Sequence, residues 1–194
     1  MVRTVKEPEE RKRDILETAM GLFVERGYEA VSMRDISQAA DITPGLCYHY
    51  FDSKQKLFSA ALAAYAEECC RDYIRILDDA SISLDEKIDA LFDGMADEKS
   101  MRYHEFFHRE GNREFHQQLG FELCELIRPH MVAAIEADAR KRGLAVAAPE
   151  VLVDFITHGQ LNILTGPAAP DPEAMALVKS YVCTLLAAQT SPVA

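Results

Sequence analysis

Helix-start signals recur along the whole sequence and constrain the fold more than any other feature. Ser32 and Ser83 each stand three residues before an acidic residue, in the capping-box form that satisfies free N–H groups at a helix start. Proline follows Thr43 and also opens apolar runs at Pro149 and Pro172, as is typical of the first helical position. Between these signals, apolar residues recur every three or four positions. The sequence therefore predicts an all-α fold.

The expected helices cover most of the chain, and no segment has the alternating pattern of a strand. They lie at residues 11–26, 33–41, 44–51, 54–77, 84–95, 99–107, 113–142, 149–165 and 172–188. The helices over 33–41 and 44–51 are separated only by a short turn, and the helix over 11–26 precedes them. This is the layout of a helix-turn-helix, in which the second helix enters the major groove of DNA.

Charge limits how such a chain can bind DNA. The sequence holds 21 Lys and Arg against 32 Asp and Glu, a net charge of −11, so the protein as a whole repels nucleic acid. Residues 1–58 hold nine basic and ten acidic residues, whereas the rest holds 12 and 22. Any affinity for DNA is therefore expected from local contacts in the first part.

The sequence predicts a cytoplasmic protein. The longest uninterrupted apolar run, Ala60 to Ala66, is far shorter than the roughly 20 residues that span a membrane. No apolar segment follows the charged start as in a secretory signal. The five cysteines are an odd number without metal-finger spacing, and we expect them to be small buried hydrophobic residues.

Two segments carry a resemblance to a known family. Residues 41–54 read DITPGLCYHYFDSK, and residues 32–40 before them read SMRDISQAA. Together with Phe23, Gly27 and Tyr28 at the end of the first helix, they closely resemble the DNA-binding signature of the tetracycline-repressor (TetR) family of bacterial regulators. The resemblance covers about residues 11–60. It implies an all-helical homodimer that binds a palindromic operator and releases it when a small-molecule effector binds the C-terminal domain.

The resemblance and the chemistry of the residues together predict a DNA-binding surface. Ser32 and Thr43 cap helices and offer hydroxyls to phosphate, Gly45 permits close approach, and Lys54 is a cation at a helix start, where the dipole disfavours it unless an anion is near. The predicted DNA-binding residues are Ser32, Arg34, Thr43, Pro44, Gly45, Leu46, Tyr48, His49 and Lys54.

Other residues of the signature are expected to pack inside or to set the turn. Cys47, Tyr50 and Phe51 are interpreted as core, and Asp41 replaces the glycine that the family favours in a left-handed turn. Leu46 stands where the family often has Thr or Ser, which favours methyl contacts with thymine over hydrogen-bonded readout.

The predicted domains are a DNA-binding domain over residues 1–58 and a larger helical domain over residues 59–194 for ligand binding and dimerisation. The last two helices are apolar on more than one side, so we expect them to form a dimer bundle; the alternative is a monomer with a wholly buried last helix. The predicted interface residues are Leu152, Phe155, Ile156, Gly159, Ile163, Met175, Val178, Val182 and Leu185.

An apolar cavity with a few polar groups is expected in the second domain, the alternative being a solid core. The candidate ligand-binding residues are Phe92, Met95, His104, Phe107, His108, Asn112 and Phe121, with Phe106 and Leu123 as further wall residues.

A rival function rests on His104, Glu105 and His108, which have the His-Glu-x-x-His spacing of zinc peptidases. Such a hydrolase needs a third ligand, for which Glu122 or Glu125 is a candidate, and a cleft beside a strand edge. We interpret the motif as chance and predict a transcriptional regulator, most simply a repressor, that is not an enzyme and has no metal or cofactor.

A milder alternative also stays open, namely that the histidines bind a metal ion or hydrogen-bond an acidic effector. It would use His104, His108 and His116, with Asn112 or His158 as a further contact. The sequence leaves the effector, the operator and the direction of regulation open.

Overall fold

The computed structural model describes residues 7–96, 101–166 and 171–192. Its longer helices are α1 (Pro8–Arg26), α2 (Met33–Ala39), α3 (Pro44–Tyr50), α4 (Lys54–Asp78), α5 (Leu84–Ala96), α7 (Arg113–Lys141), α8 (Pro149–Gly159) and α10 (Pro172–Ala188). Two four-residue helices, α6 (His104–Phe107) and α9 (Leu161–Leu164), and two strands, β1 (Leu144–Val146) and β2 (Thr190–Pro192), complete it. Lys99, where a helix was expected to begin, lies outside the described residues. The all-α fold class is confirmed.

The predicted caps account for several helix starts. The Ser32 hydroxyl accepts a hydrogen bond from the Asp35 N–H, and the Asp35 carboxylate accepts one from the Ser32 N–H at 2.8 Å. Ser83 and Glu86 make the same reciprocal pair at the start of α5, with the Ser83 N–H 2.7 Å from the Glu86 carboxylate. Each pair satisfies two N–H groups that the helix itself leaves free.

Two expectations about the second half were wrong. The helix expected over residues 149–165 is interrupted at Gln160, whose carbonyl accepts from the Ile163 N–H at 2.9 Å in a tight turn that restarts the chain as α9. The strands β1 and β2 were not expected; they pair antiparallel, with Leu144 opposite Pro192 and Val146 opposite Thr190. Strands of three residues are too short to carry an alternating pattern.

The chain separates into two compact units, residues 1–65 and 66–194, with the division inside α4. The core of the first unit is formed by the inner faces of α1 and α2 with the start of α4. Three aromatic rings stack edge to face within it, since the Phe58 ring centroid lies 5.4 Å from that of Phe23 and 5.0 Å from that of Tyr28. The boundary at residues 58 and 59 stays a prediction.

The core of the second unit gathers side chains from α4, α5, α7, α8 and α10. Its buried members include Cys70, Leu77, Ile88, Leu91, Ile127, Ile135, Val153, Ile156, Val178 and Val182. At the edge of this core, the Arg128 guanidinium of α7 donates two hydrogen bonds, of 2.5 and 3.2 Å, to the Asp154 carboxylate of α8. The Arg128 guanidinium keeps the pKa of Asp154 below its ordinary value.

In the parts of the chain that the structure describes, no helix combines the length and the apolar character needed to cross a bilayer.

Candidate nucleic-acid interface and ligand cavity

The turn between α2 and α3 is built on Asp41, whose φ is +51°. This left-handed conformation costs most residues energy, and Asp tolerates it better than most because its short side chain bonds locally. Hydrogen bonds from the Asp41 N–H to the Gln38 carbonyl at 3.3 Å and from the Ile42 N–H to the Ser37 carbonyl at 3.0 Å hold the turn. The prediction that Asp41 stands in for glycine in a left-handed turn is confirmed.

Thr43 and Ser32 cap their helices, but their hydroxyls are not equally free. The Thr43 hydroxyl accepts from the Leu46 N–H at 3.2 Å and keeps its own hydrogen for an outside acceptor. The Ser32 hydroxyl donates to the Asp35 carboxylate at 2.5 Å, and its hydrogen bonds lower the pKa of Asp35. Thr43 is therefore the better placed of the two to donate to a phosphate.

The exposed side of α3 presents the residues expected to contact DNA. Thr43, Pro44, Gly45 and His49 are exposed, and Tyr48 keeps 51% of its surface. A side chain added at Gly45 would meet nothing within 4 Å, so the fold itself does not need glycine there. This leaves open space for a close approach of another molecule.

The remaining residues of the signature divide between surface and core. Ser32 and Arg34 are exposed and Leu46 is half-buried, whereas Cys47 and Phe51 are buried and Tyr50 is half-buried. The expected core positions of Cys47 and Phe51 are confirmed.

Lys54 is held by contacts with Tyr28, contrary to the expectation that the helix dipole requires an anion beside it. The Lys54 ammonium donates to the Tyr28 carbonyl at 2.9 Å and lies 4.3 Å from the centroid of the Tyr28 ring. These two contacts account for a cation at the start of α4 without any outside anion. A contact between Lys54 and phosphate stays a prediction, but its position alone does not support it.

The second unit contains a cavity of about 140 Å³ between α5, α7, α8 and α9. The side chains that line it are mostly apolar, and they include Ile88, Leu91, Phe92, Met95, Met101, Leu123, Ile127, Met131, Ile156, Leu161, Leu164 and Val182. Its polar lining is formed by Tyr73, His116, Thr157, Gln160 and Thr165, with the thiol of Cys124. A pocket of this character is suited to a small organic molecule.

Of the residues proposed for ligand binding, the structure brings only Phe92 and Met95 to the cavity, with Leu123 from the wider set. Phe121 points outward with 51% of its surface exposed, and its ring packs 5.1 Å from that of His158. The Asn112 amide donates to the Phe106 carbonyl at 2.7 Å. Neither residue lines the cavity, so a contact of either one with a ligand stays a prediction that the cavity does not support.

The three histidines expected near the ligand form a cluster of their own. The His108 ring lies 4.2 Å from that of His104 and 4.6 Å from that of His116, measured between centroids. Phe107 packs beside them, its ring 5.9 Å from that of His116. His116 alone of these four residues lines the cavity. Ligand binding by His104, Phe107 and His108 stays a prediction that the cavity does not support.

The His-Glu-x-x-His motif does not have the setting of a zinc peptidase. Glu105, the residue that would act as general base, is exposed, and Glu125 pairs at 3.6 Å with His158 instead of completing a ligand set. Within the described ranges, no group of three or more His, Cys, Asp or Glu side chains could hold a metal ion.

The sequence analysis did not predict the polar residues of the cavity wall, although the pattern of α8 contains a signal for them. Thr157 and Gln160 interrupt the apolar stripe of Leu152 and Ile156 at helical spacing. A polar residue on the buried side of a helix needs a partner inside the protein or a bound molecule.

Two buried thiols beside the cavity have raised pKa values. Burial, with smaller contributions from Cys69 and Cys124, raises the pKa of Cys70 to about 12. Burial raises the pKa of Cys124 to about 11, and hydrogen bonding with Thr157 partly offsets this rise. Because the thiolate is the reactive form, these thiols are expected to be inert near neutral pH.

Alkylation tests this expectation. With iodoacetamide at pH 8, the native protein should be modified at the exposed Cys183 at least tenfold faster than at Cys70 or Cys124. Mass spectrometry of timed samples measures the rates, and in guanidinium chloride all five thiols should react alike. Rapid labelling of Cys70 in the native protein would contradict the burial argument.

The outer sides of α8 and α10 carry large exposed apolar residues. They are Val151 and Phe155 on α8, and Leu177 and Tyr181 on α10; below, these four residues are called the outer apolar face. Phe155, Gly159 and Ile163, three of the residues expected at a dimer interface, are also exposed. Exposed apolar groups of this size often mark a surface that another chain covers.

The remaining expected interface residues face the core of their own unit, and their place at an interface stays a prediction. Leu152, Ile156, Val178 and Val182 are buried in the core of the second unit, and Met175 and Leu185 pack against that core. The four buried residues are occupied within the chain itself, whereas Met175 and Leu185 are half-buried and keep part of their surface exposed. On α10 the exposed side is the one that carries Leu177 and Tyr181.

Comparison with known proteins agrees with the geometry of the first unit. Residues 15–61 match the family model described as bacterial regulatory proteins, tetR family. The HTH-type transcriptional repressor KstR2 of Mycolicibacterium smegmatis is 35% identical over 89 residues, which are 46% of this chain and 43% of that protein. The Staphylococcus aureus negative regulator of the biofilm operon, IcaR, is 32% identical over 63 residues, 32% of this chain and 31% of that protein. The chain therefore aligns with less than half the length of these two relatives.

Solved structures resemble the chain over nearly its whole length. The flavonoid-responsive regulator FrrA has a TM-score of 0.64 at 21% identity, covering 96% of this chain and all of that one. Salmonella enterica GusR has a TM-score of 0.60 at 22% identity, covering 95% of this chain and all of that one. At these identities the likeness concerns the fold.

The matched family and the named relatives are transcriptional regulators and not enzymes. Residues 15–61, which contain the capped helices α2 and α3 with the exposed outer side of α3, therefore form a helix-turn-helix domain of the tetR family of bacterial regulatory proteins.

Proposed function

We propose that this protein is a ligand-responsive transcriptional repressor that binds a palindromic operator as a homodimer. The observation that carries the proposal is the exposed side of α3, where Thr43, Gly45, Tyr48 and His49 face outward on a helix fixed by its cap. The names of the relatives, repressors KstR2 and IcaR, support repression over activation.

In this proposal α3 lies in the major groove, with its N-terminus towards a phosphate. The Thr43 hydroxyl donates to that phosphate, and the missing side chain at Gly45 lets the backbone come close. Tyr48 and His49 reach base edges or the backbone, while Arg34 on α2 supplies a cation. Residues 1–58 serve as the DNA-binding domain in a cytoplasmic protein.

The proposed dimer forms through the outer apolar face of α8 and α10. Four large side chains there are exposed on neighbouring parts of the second unit, and burying them against a second copy would remove apolar surface from water. A palindromic operator requires two recognition helices related by two-fold symmetry, which a dimer provides.

The proposed effector binds in the cavity of the second unit. A ligand shifts a conformational equilibrium only by binding one state better than the other. In this proposal the occupied cavity favours a conformation whose two recognition helices no longer fit successive major grooves, and the operator is released.

The DNA-binding role is tested by removing one exposed cation. Arg34→Ala is expected to weaken binding to a selected operator and to random duplex DNA by a similar factor, because a phosphate contact carries no sequence information. At about 0.9 per phosphate, the loss of two contacts per dimer should flatten the log–log salt dependence by roughly 1.8. Fluorescence anisotropy at several salt concentrations measures both effects.

Arg75→Ala is the matched control. Arg75 is an exposed cation in the last turn of α4, far along the chain from α2 and α3. Its removal changes the net charge by the same amount as the removal of Arg34. The control should leave both the affinity and the salt slope unchanged. Equal effects of the two variants would indicate a general field effect and contradict the placement of α2 and α3 on DNA.

A further inference from the structure

One buried side chain in the cavity wall has a polar atom without a partner among the residues that the structure describes. Gln160 is 8% exposed, and among the described residues its Oε1 atom accepts no hydrogen bond. A buried acceptor left unpaired is costly, and native structures rarely tolerate one without a reason. Since Gln160 lines the cavity at the junction of α8 and α9, a molecule in the cavity is positioned to satisfy it.

The two threonines of the wall also present acceptors rather than donors. The Thr157 hydroxyl donates to the Val153 carbonyl at 2.9 Å, and the Thr165 hydroxyl donates to the Leu161 carbonyl at 2.8 Å. Each has thereby used its only hydrogen. The Thr165 oxygen retains its lone pairs, whereas the Thr157 oxygen also contacts His158 Nδ1 at 3.2 Å and the Cys124 thiol. The polar side of the cavity around Gln160 therefore calls for a hydrogen-bond donor on the ligand.

Charge and size narrow the ligand further. No Asp, Glu, Lys or Arg lines the cavity in the described part of the chain, and His116 in its wall packs against the rings of Phe107 and His108. An ion without a counter-charge pays heavily for losing water. The cavity volume, about 140 Å³, is close to that of an engineered apolar cavity of about 150 Å³ in another protein that binds benzene. The site thus has room for a molecule of one ring or similar bulk.

We propose that the cavity binds a neutral, mainly apolar molecule of about the size of a substituted benzene, whose hydroxyl or N–H group donates to Gln160 Oε1. The regulatory meaning of this binding rests on the proposed function, but the binding itself does not. Gln160 is then the residue that selects a ligand with a donor over an apolar molecule of the same shape.

Three probes of nearly equal shape test the proposal on the full-length protein. They are p-cresol, which has a donor, toluene, which has none, and p-toluate, which carries a charge. Calorimetric or NMR titration should give p-cresol at least a tenfold lower Kd than toluene, and no binding of p-toluate. Equal affinities for p-cresol and toluene, or preferred binding of p-toluate, would overturn the proposal without any variant being made.

A substitution then assigns the preference to Gln160. Gln160→Met keeps the length of the side chain and removes the acceptor, so p-cresol should lose about tenfold in affinity while toluene keeps or gains affinity. Gln189→Met, at an exposed position after α10, is the control and should bind both probes as the wild type does. Unchanged p-cresol binding by a folded Gln160→Met protein would remove Gln160 from the site.

Titration with the probes and measurement of DNA binding test different parts of the molecule. Loss of probe binding with intact binding to operator DNA would refute the cavity assignment and leave the regulator. Probe binding by a protein that shows no affinity for any DNA would do the reverse.

Discussion

Tyr181→Glu is expected to convert the proposed dimer into folded monomers. Tyr181 keeps 59% of its surface exposed on α10, so a glutamate there costs the isolated chain little. In a dimer that covers the outer apolar face, the same carboxylate would be desolvated without a partner, at a cost of several kcal/mol. Light scattering at micromolar concentration should report the monomer mass, with circular dichroism and melting temperature close to wild type.

The same variant should also lose operator affinity. A dimer binds both half-sites of the operator at once, and this linkage raises its affinity over that of a monomer by about 100-fold or more. Separate monomers lack this gain in affinity. A Tyr181→Glu protein that remains dimeric would show that the interface lies elsewhere.

Val182→Glu, one position further along α10, is expected to unfold the second unit instead. Val182 is 5% exposed and packs in the core with Val178, Ile156 and Leu186. A glutamate there must either bury an unpaired charge or push the helix outward, at about 3 to 5 kcal/mol, a large part of the 5 to 15 kcal/mol that holds a typical domain together. Denaturant unfolding followed by circular dichroism should show the midpoint falling sharply or the transition disappearing.

The two glutamate variants, Tyr181→Glu and Val182→Glu, together test which side of α10 faces the core. Val182→Ala serves as the milder comparison, since it removes volume without adding charge and should cost about 1 to 3 kcal/mol while the protein stays folded. If Val182→Glu were as stable as Tyr181→Glu, the assignment of the two sides would be wrong.

Local signals predicted most helix starts, because the groups that cap a helix lie within a few residues of each other. Ser32 with Asp35, Thr43 with Pro44, and Ser83 with Glu86 were all readable in this way, and the structure forms these caps. The surface side of α3 was also predictable, since Cys47 and Tyr48 belong to a signature that fixes which of them is buried.

Which side of α10 meets the core was not predictable from periodicity. Helix α10 has two apolar sides, one with Val178 and Val182 and the other with Leu177 and Tyr181. No local pattern distinguishes a side that packs in the core from a side that a partner chain covers. The same limit applies to the cavity, because a wall depends on which side chains converge from distant helices. Gln160 lines the wall because helix α8 ends there, and the apolar stripe that continues from Leu152 to Ile163 at helical spacing concealed this end.

Helix α8 carries two sets of residues on opposite sides. Ile156, Thr157 and Gln160, just past its end, line the cavity, whereas Val151 and Phe155 point outward. Each residue added to or removed from a helix rotates everything beyond it by about 100°. Substitutions can therefore change ligand preference and outer surface independently, but a one-residue insertion or deletion in α8 would disrupt both together. Related genes should accordingly diverge in the composition of this segment while conserving its length.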